Sequence, residues 1–386
     1  MQPGTVCAPL RSEWAALRGA IAAPMVRTGR GPTHRLDSPA GAIAVAGAAG
    51  ALAPGLLPGD LVVAQEIRSR GSALPSYAAP LLHSALRHLG LRVHLGPIYS
   101  AEYIVDGPHR DRLAATGALA VDTESAFLAG AVPEGRAVVL RAIVDTPNAP
   151  LVHPGTVLRG IRALHALRCA APILDHWSAA LGEREVLLFG PPEGGPGNAT
   201  GGRARPGPHP DKTRERTGSR SGAGPDSSRA STEDTDNHRD TVATGGTRGH
   251  TKRTHPPRID LVLILVASET AGQHSATDAP QARTPRITGK YIWGPGSAYS
   301  AEIPDMCPDA GLLELAAMQG IPVHPVDSTA ALHLPLLHTA RRIAVFATPS
   351  APATLRAEIL RALSGLGPIR VRETTVADEL RSTLGR

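Results

Sequence analysis

Cysteine and aromatic residues are scarce in this chain of 386 residues. The three cysteines, Cys7, Cys169 and Cys307, stand far apart, with no Cys-x-x-Cys pair. An odd, sparse set argues against a secreted disulfide framework. Phe, Trp and Tyr together supply 3% of the residues, so Ala, Leu and Val have to build the core. No apolar run reaches the ~20 residues that a bilayer span needs. The N-terminus lacks a basic stretch followed by an apolar one, and a cytoplasmic protein without a membrane span is expected. His324, His333 and His338 are separated by nine and five positions, which fits no ligand spacing. No metal site and no cofactor are expected.

What is present has the composition of a globular protein, with 42% hydrophobic residues and a formal net charge of +6. The basic excess is uneven. Residues 191–258 hold 12 Lys and Arg against 8 Asp and Glu. A basic linker is a weaker sign of nucleic-acid binding than a basic folded face, so nucleic acid is not an expected partner. The same stretch is rich in Gly, Pro, Ser and Thr, and apart from a few alanines Val242 is its one apolar side chain. Such a segment cannot bury enough surface to offset its ordering entropy.

Three regions follow: residues 1–189, a disordered linker at 190–258, and residues 259–386 with an irregular insertion at 271–310. Strand-like runs at Ala42–Ala46, Asp60–Ala64, Arg92–Tyr99 and Ala137–Val144 interleave with helical spacing at Tyr77–Leu89, Glu124–Ala131 and Pro154–Leu181. That alternation predicts an α/β fold with a sheet covered on both faces. Leu261–Val266, Ile321–Val326, Arg342–Ala347 and Ile369–Glu373 read as strands, with helices at Leu312–Gln319 and Ala351–Leu363. Together these make a small β-α-β half-domain of a size that can hold its own core.

Four clusters in the first region carry chemistry by their order. Cys7-Ala-Pro-Leu-Arg-Ser-Glu13 runs a strand end into a helix with a carboxylate. Ala46-Gly-Ala-Ala-Gly-Ala, followed by Gly59-Asp60, is small enough for a ligand to approach the backbone. Val121-Asp-Thr-Glu124-Ser125 puts a carboxylate at a helix start, and Arg141-Ala-Ile-Val-Asp145 puts a charged pair at a strand end. Singly, each has a plain structural reading: a dipole-stabilised helix residue, a strand-end cap, or close packing. Ligands of open α/β sheets lie outside the carboxyl ends of strands, which is where these clusters fall.

Together the clusters resemble the nucleoside phosphorylases and the methylthioadenosine/adenosylhomocysteine nucleosidases over residues 5–180, and look closest to the adenosylhopane nucleosidase type. The resemblance implies a nucleoside phosphorylase-like three-layer sandwich that cleaves the N-glycosidic bond of a 5′-substituted adenosine. It implies Asp145 as proton donor to the base, Glu13 as the carboxylate that activates water, and Arg141 as holder of that water or of phosphate. Glu124 and Thr123 would meet the ribose, Tyr103 and Ile104 the purine, and Gly47 and Ala48 the bound sugar and nucleophile. Ala48 stands where the family has Ser and Thr123 where it has Met, so the resemblance implies slow turnover. Relatives are often dimers or hexamers, so a homo-oligomer is a candidate state.

Residues 259–386 resemble the C-terminal part of the LytB-type 4-hydroxy-3-methylbut-2-enyl diphosphate reductases. The similarity lies in Val266-Ala-Ser268-Glu-Thr270, Gly320-Ile-Pro and Ala347-Thr-Pro-Ser350-Ala-Pro352. It implies weak diphosphate binding through Ser268, Thr270 and Ser350. The family's three iron–sulfur cysteines have no counterpart among Cys7, Cys169 and Cys307, and a cluster cannot be held without thiolates. Two alternatives to the nucleosidase reading therefore stand open. One is a reductase-like fusion without its cluster, tied to isoprenoid synthesis. The other is a non-catalytic interaction remnant.

Overall fold

The computed structural model describes residues 4–31, 41–149, 154–189, 258–268 and 319–384, with Leu313, Ala316 and Ala317. The expected linker at 190–258, Arg258 excepted, lies outside them, as do the insertion at 271–310, Thr270 and Cys307. The elements run β1 (Thr5–Ala8), α1 (Arg11–Leu17), β2 (Met25–Arg27), β3 (Ile43–Ala51), β4 (Leu61–Ser69), β5 (Ser72–Pro75), α2 (Ala79–His88) and β6 (Val93–Ser100). Then follow α3 (Gly107–Ala114), β7 (Ala120–Asp122), α4 (Ser125–Ala129), β8 (Ala137–Asp145), α5 (Thr156–Ala180) and β9 (Arg184–Phe189). After the linker come β10 (Leu261–Leu265), β11 (Val323–Val326), α6 (Leu334–Thr339), β12 (Arg342–Ala347), α7 (Leu355–Ser364), β13 (Ile369–Thr374) and α8 (Val376–Leu384).

The α/β class is the one expected, and the first sheet is a mixed one that closes on itself. β8 lies parallel to β3 and antiparallel to β4. β6 lies parallel to β4 and β7, and β7 returns antiparallel to the end of β3 at Gly50 and Ala51. Five strands therefore form a ring, with β1 and β2 added on one side of β3 and β5 on the free side of β4. Closure removes strand edges that would otherwise stay unpaired. It also explains why β3 runs on to Ala51, past Ala46 where the strand-like run was expected to end: its small residues let β3 pass from β1 to β7 while staying paired to β8.

Cys7 sits in this sheet with no exposed surface, and burial pushes its thiol up to about 12. A thiol that stays protonated is a packing group, not a nucleophile. Asp60 is structural as well. It accepts the Leu57 N–H at 3.0 Å and pairs with Arg92 at 3.1 Å, closing the turn into β4.

The second sheet, ordered β11-β10-β12-β9-β13, is wholly parallel. Its fourth strand, β9, precedes the linker. The boundary expected at residue 189 thus runs along the end of a strand that the C-terminal sheet needs, and residues 259–386 do not make that sheet alone. Burial explains the sharing. α2 and α5 lie between the sheets, and one continuous apolar cluster joins Val6, Ala44, Leu82, Leu167, Leu174 and Trp177 to Leu188, Leu263, Leu337, Val345 and Leu363.

Arg184 fastens the same seam. Buried, it donates to the Gly182 carbonyl at 3.0 Å, to the Leu337 carbonyl at 2.9 Å and to the Ala180 carbonyl. Desolvation, aided by Arg341 and Arg136, draws its pKa down to about 10. On the far face of the second sheet, buried Arg342 pairs with Glu379 at 2.7 Å and with Glu185 at 2.8 Å, which docks α8. Three imidazoles meet where α2 packs on the second half: His88 and His333 ring centres are 4.6 Å apart, and His324 and His333 5.5 Å. Among the described residues, no helix is long and apolar enough to cross a membrane.

A shared core has a direct consequence. Residues 1–189 produced alone should fail to unfold cooperatively, because β9 and the outer face of α5 lose their cover. Co-production with residues 256–386 should restore a single complex on size-exclusion chromatography. Leu337→Ala in the full chain should cost about 2–5 kcal/mol in denaturant unfolding, as for other buried leucines. A fragment 1–189 that melts cooperatively at the full-length temperature would count against the shared core.

Candidate active site

A cavity of about 570 Å³ opens where β3, β7 and β8 end and α1, α3 and α4 begin. Its lining includes Glu13, Ala48, Gly50, Tyr103, Ile104, Arg110, Asp122, Thr123, Glu124 and Asp145. The volume is that of a small-molecule site. Of the expected residues, Asp145, Glu13, Glu124, Thr123, Tyr103, Ile104 and Ala48 are thus brought together. Arg141 and Gly47 lie directly behind them.

Arg141 organises one end. It projects from the middle of β8 with no exposed surface. Its Nε donates to Asp122 Oδ2 at 2.7 Å, and its Nη2 donates to Glu124 Oε2 at 3.3 Å and to Ser125 Oγ at 2.9 Å. Nη1 makes no hydrogen bond among the described residues. Three carboxylates, those of Asp122, Glu124 and Glu13, hold the guanidinium firmly protonated against the opposing cost of burial. Asp122 is the tightest partner, at the end of β7. It also accepts the Ser100 hydroxyl at 2.5 Å and the Ser125 N–H at 3.2 Å.

Glu13 lies on the other side of Arg141, in the first turn of α1, and is 2% exposed. Its Oε2 accepts the Leu10 N–H at 2.7 Å and its Oε1 the Ala48 N–H at 2.7 Å. Burial raises its pKa above the ordinary glutamate value, while Arg141 and the two N–H donors oppose the rise. Gly47 permits this approach: a Cβ there would stand 2.4 Å from Arg141 Nη1 and 2.7 Å from Glu13 Oε1. Ala48, in place of a hydroxyl residue, still supplies its backbone donor to Glu13.

Asp145 closes the other end. The β3–β8 register shifts there, from Ala49 opposite Ile143 to Gly50 opposite Asp145. A bulge of this kind re-aims a side chain. The carboxylate is bonded by buried Arg110 of α3, Nη1 to Oδ2 at 2.5 Å. Tyr103 and Ile104 flank the cavity but are each 57% exposed, with the Tyr103 hydroxyl 2.9 Å from His109 Nδ1. Glu124 is the residue just before α4, not inside its first turn, and shares a hydrogen bond with the Thr123 hydroxyl.

Sequence reading missed Arg110, Ser100 and Ser125, and gave Asp122 no role of its own. The polar helix GPHRDRLA has no apolar period to mark it, and a lone Arg in it carries no signal. Ser268 follows β10, and exposed Ser350 follows β12, where its hydroxyl lies 3.0 Å from that of Thr348. Neither belongs to the cavity described above.

Residues 19–153 match the family model described as the Phosphorylase superfamily. The match does not reach residues 259–386. No curated protein matches the sequence. Among solved structures, the 5′-methylthioadenosine/S-adenosylhomocysteine nucleosidase of Neisseria meningitidis, in complex with methylthio-immucillin-A, is 18% identical. It covers 45% of this chain and 99% of its own, with a TM-score of 0.39. The corresponding Helicobacter pylori nucleosidase, with butyl-thio-DADMe-Immucillin-A, is 18% identical over 45% of this chain and 96% of its own, at a TM-score of 0.38. The futalosine hydrolase of Helicobacter pylori is 17% identical over 45% and 95%, at 0.38.

The packing at Gly47 gives a sharp test. Gly47→Ala would set a methyl group against Arg141 Nη1 and Glu13 Oε1, so that the pair has to shift. Overpacking of this kind costs about 1–3 kcal/mol, and the loss should be accompanied by loss of any activity that uses Glu13. Thermal unfolding and an activity assay on the same preparation measure both. An unchanged unfolding midpoint would mean that the pair relaxes without cost.

Proposed function

We propose that this chain hydrolyses the N-glycosidic bond of a purine nucleoside, with a 5′-substituted adenosine as the substrate class. The observation that carries the reading is the single cavity with a buried carboxylate base at one end, a second carboxylate at the other, and two further acidic groups between them. Breaking the C1′–N9 bond sends its electron pair onto the purine and leaves positive charge on the ribosyl ring. Asp145 gives a proton to N7 of the departing base. Glu13 takes a proton from water as the water oxygen bonds to C1′. Glu124 and Thr123 accept from the ribose hydroxyls, an interaction that strengthens as charge builds on the sugar. Tyr103 and Ile104 lie against the purine.

Charge favours water over phosphate as the nucleophile. A phosphate beside Glu13 would meet three buried carboxylates, with Arg141 already paired to them and the lining cations Arg30 and Arg110 respectively exposed and held by Asp145. Like charges ~4 Å apart repel by about 4 kcal/mol at an effective dielectric of ~20. The match of residues 19–153 to the Phosphorylase superfamily is consistent with glycosidic chemistry and leaves the choice of acceptor to the site.

The test is purine release from a panel of 5′-substituted adenosines, 5′-methylthioadenosine among them, with and without phosphate. Release without phosphate is expected. Asp145→Asn should lower kcat by about 10²–10⁴-fold, the worth of general acid catalysis, while Glu124→Gln should weaken both kcat and KM. Because Glu13 must be ionised to act and its pKa is raised by burial, activity should start to fall on acidification above the ordinary glutamate value of about 4.3. Full-speed release by Asp145→Asn, or strict phosphate dependence, would overturn the mechanism.

A further inference from the structure

We infer that Arg110 is a positioning residue for Asp145, one that presents a single carboxylate oxygen to the leaving base and stabilises the charge left after proton transfer. This rests on the nucleosidase reading above but on a separate set of contacts. Arg110 is 6% exposed. Its Nε and Nη2 both donate to the Ala51 carbonyl, at 2.9 and 2.7 Å. Its Nη1 donates to Asp145 Oδ2 at 2.5 Å, and Nη2 reaches the Asp145 main-chain oxygen at 3.3 Å. One side chain thus ties α3 to the ends of β3 and β8.

The backbone is shaped around this clasp. A Cβ at Gly50 would stand 2.8 Å from Arg110 Nη2 and 3.0 Å from Asp145 Oδ1. The glycine is therefore required by the Arg–Asp pair, just as Gly47 is by Arg141 and Glu13. The β3–β8 bulge turns Asp145 toward Arg110. With Oδ2 taken, Oδ1 has no hydrogen-bond partner among the described residues, on a side chain that lines the cavity.

Chemistry gives the clasp its direction. For the step to run, the proton has to be on Oδ1 while Oδ2 accepts from Arg110. As C1′–N9 breaks, the proton passes from Oδ1 to N7 and the purine leaves neutral. Asp145 is then a buried carboxylate. Without Arg110 that charge would be formed with no partner, and a buried charge that loses its partner is strongly penalised. The helix that carries Arg110 follows directly on the Tyr103–Asp106 segment, so the expected base contacts and the partner of the proton donor are neighbours in the chain. Asp106 caps that helix by accepting the Gly107 N–H at 2.7 Å.

The experiment is a double-mutant cycle in the full chain, reading purine release from 5′-methylthioadenosine by single-turnover and steady-state kinetics. Arg110→Met should lower kcat on the order of 10²-fold with KM changed far less, and Arg110→Lys should recover part of the loss. In an Asp145→Asn background, Arg110→Met should add little, since groups that act as a unit are non-additive. Thermal unfolding of each variant separates misfolding from loss of function. If the two losses multiply, or if Lys rescues nothing in a folded protein, the inference fails while the nucleosidase reading stands. If the wild-type chain releases no purine from any nucleoside of the panel, both fail together.

Discussion

One guanidinium holds the candidate site in place. Arg141 is fully buried at the centre of β8, and three carboxylates from three other elements converge on it. Removing a charge from water costs several kcal/mol unless it is paired with good geometry. The pairing here therefore dictates where β7 must end and where α4 and α1 must begin. Asp122 is drawn in by Nε, Glu124 by Nη2, and Glu13 is brought across β3 because Gly47 has no side chain. Two of the acidic groups that the proposed chemistry uses, Glu13 and Glu124, are among those that neutralise the arginine.

The second cation–carboxylate contact, Arg110 with Asp145, repeats the device at the opposite end of the cavity. Each pair is admitted by a glycine of one short strand segment, Gly47 for the first and Gly50 for the second. The run of small residues that was expected to let a ligand approach the backbone is also the part of β3 where two buried arginines pass it. Close packing and function are not alternatives here, since the packing is what places the acids.

The two sheets depend on each other by a different force. α2 and α5 present apolar residues to both sides, and the cluster that includes Leu167, Leu174, Leu263 and Leu363 is continuous. Arg184 then satisfies three carbonyl groups along that seam. The C-terminal half is therefore the cover of the N-terminal half's helices. This gives it a role that the diphosphate contacts expected at Ser268, Thr270 and Ser350 did not suggest.

Much of the fold was legible in local pattern. Continuous apolar runs marked β3, β4, β8, β10 and β12, and helical spacing marked α2, α5 and α7 within a few residues. The order of Glu13, Gly47, Glu124, Arg141 and Asp145 was enough to place Glu13, Glu124 and Asp145 in one cavity with Gly47 and Arg141 behind it, because strand ends in such sheets point the same way. Closure of the ring was not legible, since the three residues of β7 are too few to show a period. Nor was the fate of β9, whose partners on β12 lie about 150 residues further along the chain. Arg110 was hidden for the same reason: its partner is 35 positions away, on an element with which it shares no pattern. The sequence by itself determined which side chains could carry charge and which segments had to be buried. Only the tertiary structure decided which charges would face each other, because pairing of buried ions depends on distances that no local periodicity contains.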